Sequence, residues 1–207
     1  MVVVAFPDPE VILAVEINIL SVPDRTPKDK KTGQSASITG LIVIDDTAVA
    51  IAAQARYEIP KILKVTVPFA AYFPYSGHGV YVRIGSDGQM GRTGEPITLT
   101  LLPSTINLQA FSYLMIEQDG LPNLGGRPDF SFQGFSVGFG AGAGLEWKAG
   151  PIKLSASILL LAGFGTAPLL IKAGIFVKGE LDLVVVSVSA RGEIVLTYQQ
   201  ETIWMDG

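Results

Sequence analysis

Cysteine is absent from the 207 residues, and histidine occurs once. The first absence excludes disulfides and thiolate metal sites and leaves the redox compartment open. The second leaves no pair of imidazoles for a metal centre. Charge is scarce too: charged residues make up 16% of the chain against 48% apolar, and mean hydropathy is +0.42. That is high for a soluble monomer, so part of the apolar surface is expected to face a partner, a lipid or a lumen. Net charge is −4, with no basic block, which argues against nucleic acid as a partner. The N-terminus lacks a basic leader, and its short apolar run is cut by Pro7 and Asp8, so it does not read as a signal peptide. No window holds the roughly 20 uncharged apolar residues of a membrane helix. A cytoplasmic location is the default expectation. No capped amphipathic helix is found either.

What the chain does have is alternation. From residue 135 the odd positions run Phe135, Val137, Phe139, Ala141, Ala143, Leu145 and Trp147, while the even positions run Ser136, Gly138, Gly140, Gly142, Gly144 and Glu146. A period of two is a strand with one apolar face and one bare face. Glycine weakens a strand by roughly 0.5–1 kcal/mol relative to alanine. A glycine-lined face therefore needs a reason, such as close approach of another backbone or strong bending of the sheet. Similar runs follow from Ile152 to Leu160 and from Leu169 to Val177, with reversals expected at residues 163–168 and at Gly179-Glu180. Residues 181–190 are apolar on both parities near their centre, as in a strand buried on both faces, and Arg191-Gly192 leads into a last run through Ile194, Leu196 and Tyr198.

Upstream, strands are expected at residues 11–20, 38–45, 48–59, 62–73, 80–84, 97–102 and 105–116. Residues 48–59 are rich in alanine, which favours helix, but their polar residues fall on one parity, so a strand is preferred. Pro68 implies an edge position or a bulge. Residues 76–95 and 119–129 are glycine- and proline-rich loops, and Asp87-Gly88 signals a hairpin. The lysine-rich tract at 28–31 reads as a loop tip. The fold class is all-β: a long antiparallel meander forming one curved sheet, open or closed into a barrel or sandwich, in a single domain over residues 1–207. The final Asp206-Gly207 is a turn dipeptide with no returning strand. A fragment of a longer chain, or an edge closed by another subunit, is the expectation.

Tests for chemistry return little. His78 sits in a glycine turn with no arrangement of serine and acid around it. The glycines of residues 134–144 precede no helix, as a phosphate cradle requires. Asp45-Asp46 and Asp87 read as turn formers rather than as part of the six to eight oxygens calcium needs. No catalytic, cofactor or metal residues are assigned. The candidate site is the apolar face itself, Phe135, Val137, Phe139, Leu145 and Trp147, a possible ligand lining.

From Ala71 onward, Tyr72-Phe73-Pro74 before a glycine turn, Val82-Arg83-Ile84-Gly85, Gly150-Pro151-Ile152-Lys153 and the long strands of residues 169–195 resemble a large uncharacterised β-rich family of bacteria and fungi. Bacterial members of that family are often associated with contractile injection particles. Other members carry histidine where Phe73 stands. The resemblance implies no catalytic residue. The expected function is a non-catalytic structural or interaction protein whose sheet is completed by self-association or within a larger protein assembly. A lipid or hydrophobic-ligand binder is the alternative. A membrane β-barrel is a further one, although paired aromatic girdles cannot be placed from sequence.

Overall fold

The computed structural model describes residues 2–5, 10–21, 34–90, 92–101, 106–183, 186–199 and 202–207; the lysine tract at 28–31 lies outside them. Alternation becomes strand throughout, including the alanine-rich run. The strands are β1 (Val2–Ala5), β2 (Glu10–Ser21), β3 (Ser35–Ile44), β4 (Ala48–Ile59), β5 (Leu63–Pro74), β6 (Tyr81–Ile84) and β7 (Ile97–Leu101). They continue with β8 (Ile106–Glu117), β9 (Ser136–Ala149), β10 (Ile152–Thr166), β11 (Leu169–Asp182), β12 (Ser187–Gln199) and β13 (Thr202–Asp206). Among the described residues these form one 13-stranded antiparallel sheet in chain order, an all-β meander. Strands β6 and β7 lie end to end between β5 and β8, and the chain leaves the sheet between them as the excursion at residues 85–96.

That broken position explains Pro68. It pairs with Gln54 of β4 on one side, and on the other it falls between the β6 and β7 ladders. The missing proline N–H therefore leaves no ladder bond unmade, while the Pro68 carbonyl accepts from the Gly85 amide at 2.8 Å. The strand is not bulged there, but Pro68 is locally an edge position, since neither ladder reaches it on that side. Asp87-Gly88, expected to turn a hairpin, joins no paired strands for the same reason.

Two expectations for the last third are corrected. Gly179 and Glu180 do not reverse the chain; they pair inside β11 with Ala156 and Ser155. Residues 181–190 are not one buried strand. The reversal lies at 182–187, where the Leu183 amide donates to the Val186 carbonyl at 2.8 Å, and Leu183, Val186 and Val188 are exposed. Apolar parity is odd up to Leu181 and even from Val188, and that switch marks the turn. Arg191 and Gly192 accordingly lie within β12.

The core is small and lies on one face. Residues 118–135, including a 3-10 turn at Leu124–Gly126, fold back over β8 to β12. Leu121, Leu124, Phe130 and Phe132 from this cap meet Tyr113, Met115, Leu161 and Val195 from the sheet. Burying each large apolar chain contributes about 1.5–3 kcal/mol. The cap is closed by the antiparallel bridge between Leu121 and Phe132, at 2.9 and 3.0 Å, and by Phe130 packed edge-on to Phe176 at 5.7 Å.

This layer accounts for most of the glycine-lined face. A Cβ at Gly140 would sit 2.1 Å from the Tyr113 ring, one at Gly142 2.5 Å from the Phe111 ring, and one at Gly138 2.8 Å from Leu124. Tyr113 and Phe111 are the cross-strand partners of Gly140 and Gly142. The close approach is thus mainly by aromatic rings lying across the neighbouring strand, and not by another backbone.

Candidate interaction face

Residues opposed across a ladder share a face of the sheet, so register carries the apolar parity from strand to strand. One row runs Leu13, Ile42, Ile51, Ala71, Val82, Ile116, Val137, Phe164, Ile171, Tyr198 and Ile203. The rows beside it on that face are the same in kind. Among the described side chains of β2 to β13, every charged one points to the other face. On the apolar face the polar side-chain atoms are those of Ser112 and Thr166, the Tyr57 and Tyr198 hydroxyls and the Trp147 indole N–H.

The five residues expected on this face are all there. Phe135 and Phe139 are exposed, at 47% and 42%, and Val137, Leu145 and Trp147 are half-buried against their strand neighbours. Phe135 stands just ahead of β9, its ring 6.1 Å from Phe164. A shallow dent of about 260 Å³ opens beside Phe139, between Leu160, Ile175, Ile194 and Leu196. The sequence reading named this face on β9 alone; the register carries it to every described strand from β2 to β13. Aromatic side chains sit near the turns at both ends, Tyr57 and Trp147 at one, Phe73, Phe135, Phe164 and Tyr198 at the other.

The opposite face is polar and partly occupied. Arg83 and Glu117, neighbours across β6 and β8, form a buried ion pair at 2.5 Å, and the Arg83 guanidinium lies 3.9 Å over the Tyr81 ring. The excursion at 85–96 is latched to the cap. Asp87 accepts from Arg92 at 2.8 and 2.7 Å and from the Gly125 amide at 2.9 Å, while Arg92 donates to the Pro122 carbonyl at 2.8 Å. Burial alone would raise the Asp87 carboxyl; the hydrogen bonds from Arg92 and the Gly125 and Gln89 amides outweigh it and hold the group below its ordinary value. Sequence reading missed this latch, because aspartate before glycine looks like a turn. A cleft of about 480 Å³ lies beside the excursion, lined by Leu41, Gln54, Arg83, Ser86 and Glu95 among others.

Tyr113 is the exception on this face. Its hydroxyl is buried with no hydrogen-bond partner among the described residues. Burial pushes its titration up, and the nearby Asp87 charge adds to that. His78 is exposed in its turn. The Asp45 carboxylate is taken up by its own turn, accepting from the Thr47 and Ala48 amides at 2.7 and 2.8 Å.

Both outer edges of the sheet are open among the described residues. β1 pairs with β2 only as far as Leu13, and β13 pairs with β12 only from Val195 onward. Val15, Ile17 and Ile19 therefore lie exposed along one edge. No helix is long and apolar enough to cross a membrane among the described residues. Comparison with family models, with curated proteins and with solved structures returns no match.

Proposed function

We propose that the protein is a non-catalytic structural element: a section of β wall whose edges are completed by further strands in a larger assembly, and whose apolar face that assembly buries. The observation that carries this reading is surface. The chain exposes 13029 Å², whereas a compact folded chain of this mass exposes about 9,300 Å² by the usual size scaling. Among the described residues, large apolar side chains stand exposed on the face without charge, Phe139, Ile158, Ile175 and Ile194 among them, and the outer strands have unpaired edges, which are templates for further pairing. The paired charges of the polar face support a structural role. Arg83 is spent on Glu117 and Arg92 on Asp87, which leaves neither pair free as acid or base. The motif resemblance suggests a contractile injection particle as one such assembly.

Size-exclusion chromatography with light scattering tests the reading. Assemblies, or particles carrying bound lipid or detergent, are expected. A monodisperse, lipid-free monomer of 22.0 kDa overturns it.

A further inference from the structure

We infer that what covers the apolar face is the hydrocarbon of a lipid bilayer, and that the polar face lines an aqueous interior partly stopped by the cap. The inference rests on the assembly reading above, since an open edge cannot stand in hydrocarbon without further strands to pair it.

Area favours a continuous medium over a partner of standard size. A standard interface takes about 800 Å² from each side, whereas the face from β2 to β13 is eleven strand positions wide, about 48 Å, and about 33 Å long, roughly 1,600 Å². Composition points the same way. Protein interfaces carry a polar rim and roughly one hydrogen bond per 100–200 Å². Here the apolar parity is free of charge from β2 to β13 among the described side chains, and Ser112 is the one polar side chain in its interior. A medium that penalises charge at every point asks for that pattern, with all charge on the opposite side.

Dimensions agree. From Val137 to Trp147 the strand advances about 33 Å at 3.3 Å per residue. At the 35–45° tilt of membrane barrels this projects to about 25 Å, the height of their apolar band. The aromatic rings near both sets of turns stand where such a band meets water.

The chain holds two tryptophans, and the register puts them on opposite faces. Trp147 opposes Leu154 on the apolar side, and Trp204 opposes Thr197 on the polar side. Trp204→Phe and Trp147→Phe each leave one reporter. After reconstitution into phosphatidylcholine vesicles brominated in the acyl chain near the headgroup, Trp147 emission is expected to fall at least two-fold relative to unbrominated vesicles. Acrylamide in the water should quench Trp204 and spare Trp147. Circular dichroism confirms that each variant keeps its strands. A second arm uses charge: Ala143→Asp on the apolar face should abolish incorporation into vesicles, and Gly144→Asp on the polar face should not. Equal bromine quenching of both tryptophans, or of neither while light scattering still shows assemblies, overturns the lipid inference and leaves the assembly reading standing. A lipid-free monomer in buffer overturns both.

Discussion

The polar face is built differently over its two halves. Over β8 to β12 the segment at 118–135 is seated on it, and Met115, Leu121, Leu124 and Phe130 are fully buried. Over β2 and β3 no described residue is buried, and Leu41 is 39% exposed. Strand pairing runs through both halves, with a register shift in the β2–β3 ladder between Asn18 and Leu20. The difference shows that a hydrogen-bonded ladder orders backbone without excluding water from side chains; exclusion takes a second layer. The capped half carries its own second layer. Over β2 and β3 no described residue supplies one.

The contrast breaks most completely at the latch. Asp87→Ala leaves the Arg92 guanidinium buried without its carboxylate and strips the Gly125 amide of its acceptor. Removing one partner of a buried pair costs about 3–5 kcal/mol. Hydrogen–deuterium exchange should rise across residues 118–133 and stay unchanged in β3 and β4. Acid should do the same reversibly. The folded-state carboxyl titrates below its ordinary value of 3.8, so its contribution is fully present above that value and is lost as pH falls through the lower, folded one. Protection of the cap should therefore be flat between about pH 5 and 8 and decline only below about pH 4. A decline already at pH 6 would mean that some other group holds the cap.

Next in size is Gly140→Ala. The added methyl lands 2.1 Å from a buried ring, so Tyr113 must shift within a packed layer. Overpacking of that kind costs about 1–3 kcal/mol, read as a lowered denaturation midpoint. An unchanged midpoint would show that the layer over β9 is loose.

Much of this was legible before the structure. Strict alternation gave the strands and the apolar parity, because a period of two is a local property of adjacent residues. The alanine-rich β4 was legible as strand for the same reason: Gln54, Arg56 and Glu58 share a parity. What was not legible depends on register between distant residues. Nothing near Gly140 says that Tyr113 will lie across it, and nothing near Asp87 says that Arg92 and the Gly125 amide will converge on its carboxylate. The misplaced reversal at Gly179-Glu180 is of another sort. Glycine was weighed above parity, although the odd-to-even switch between Leu181 and Val188 was visible in the sequence.

A smaller effect, of opposite sign, is expected for Tyr113→Phe. The hydroxyl is buried without a partner, and an unsatisfied buried polar group costs about 1–3 kcal/mol. Deleting it should stabilise the capped half by about 1 kcal/mol, with cap exchange slowed. The raised titration of the phenol keeps it neutral, so the gain should not vary between neutral and mildly alkaline pH. A loss of stability would reveal a bridging water in the layer.

The smallest effect is the most discriminating, because it lies in the same strand as Gly140. Gly144 shares the polar parity of β9, yet a Cβ there meets nothing nearer than the Ala156 carbonyl at 4.0 Å. The cap ends short of it. Gly144→Ala therefore adds no overlap and removes the conformational freedom of an unneeded glycine, worth roughly 0.5–1 kcal/mol in favour of the fold. Two identical substitutions four residues apart on one face of β9 should move the midpoint in opposite directions. If both destabilise, the glycines of β9 answer to curvature of the whole sheet rather than to rings and the cap. If neither does, the second layer is too soft to define a core, and the two halves of the polar face are not different in kind.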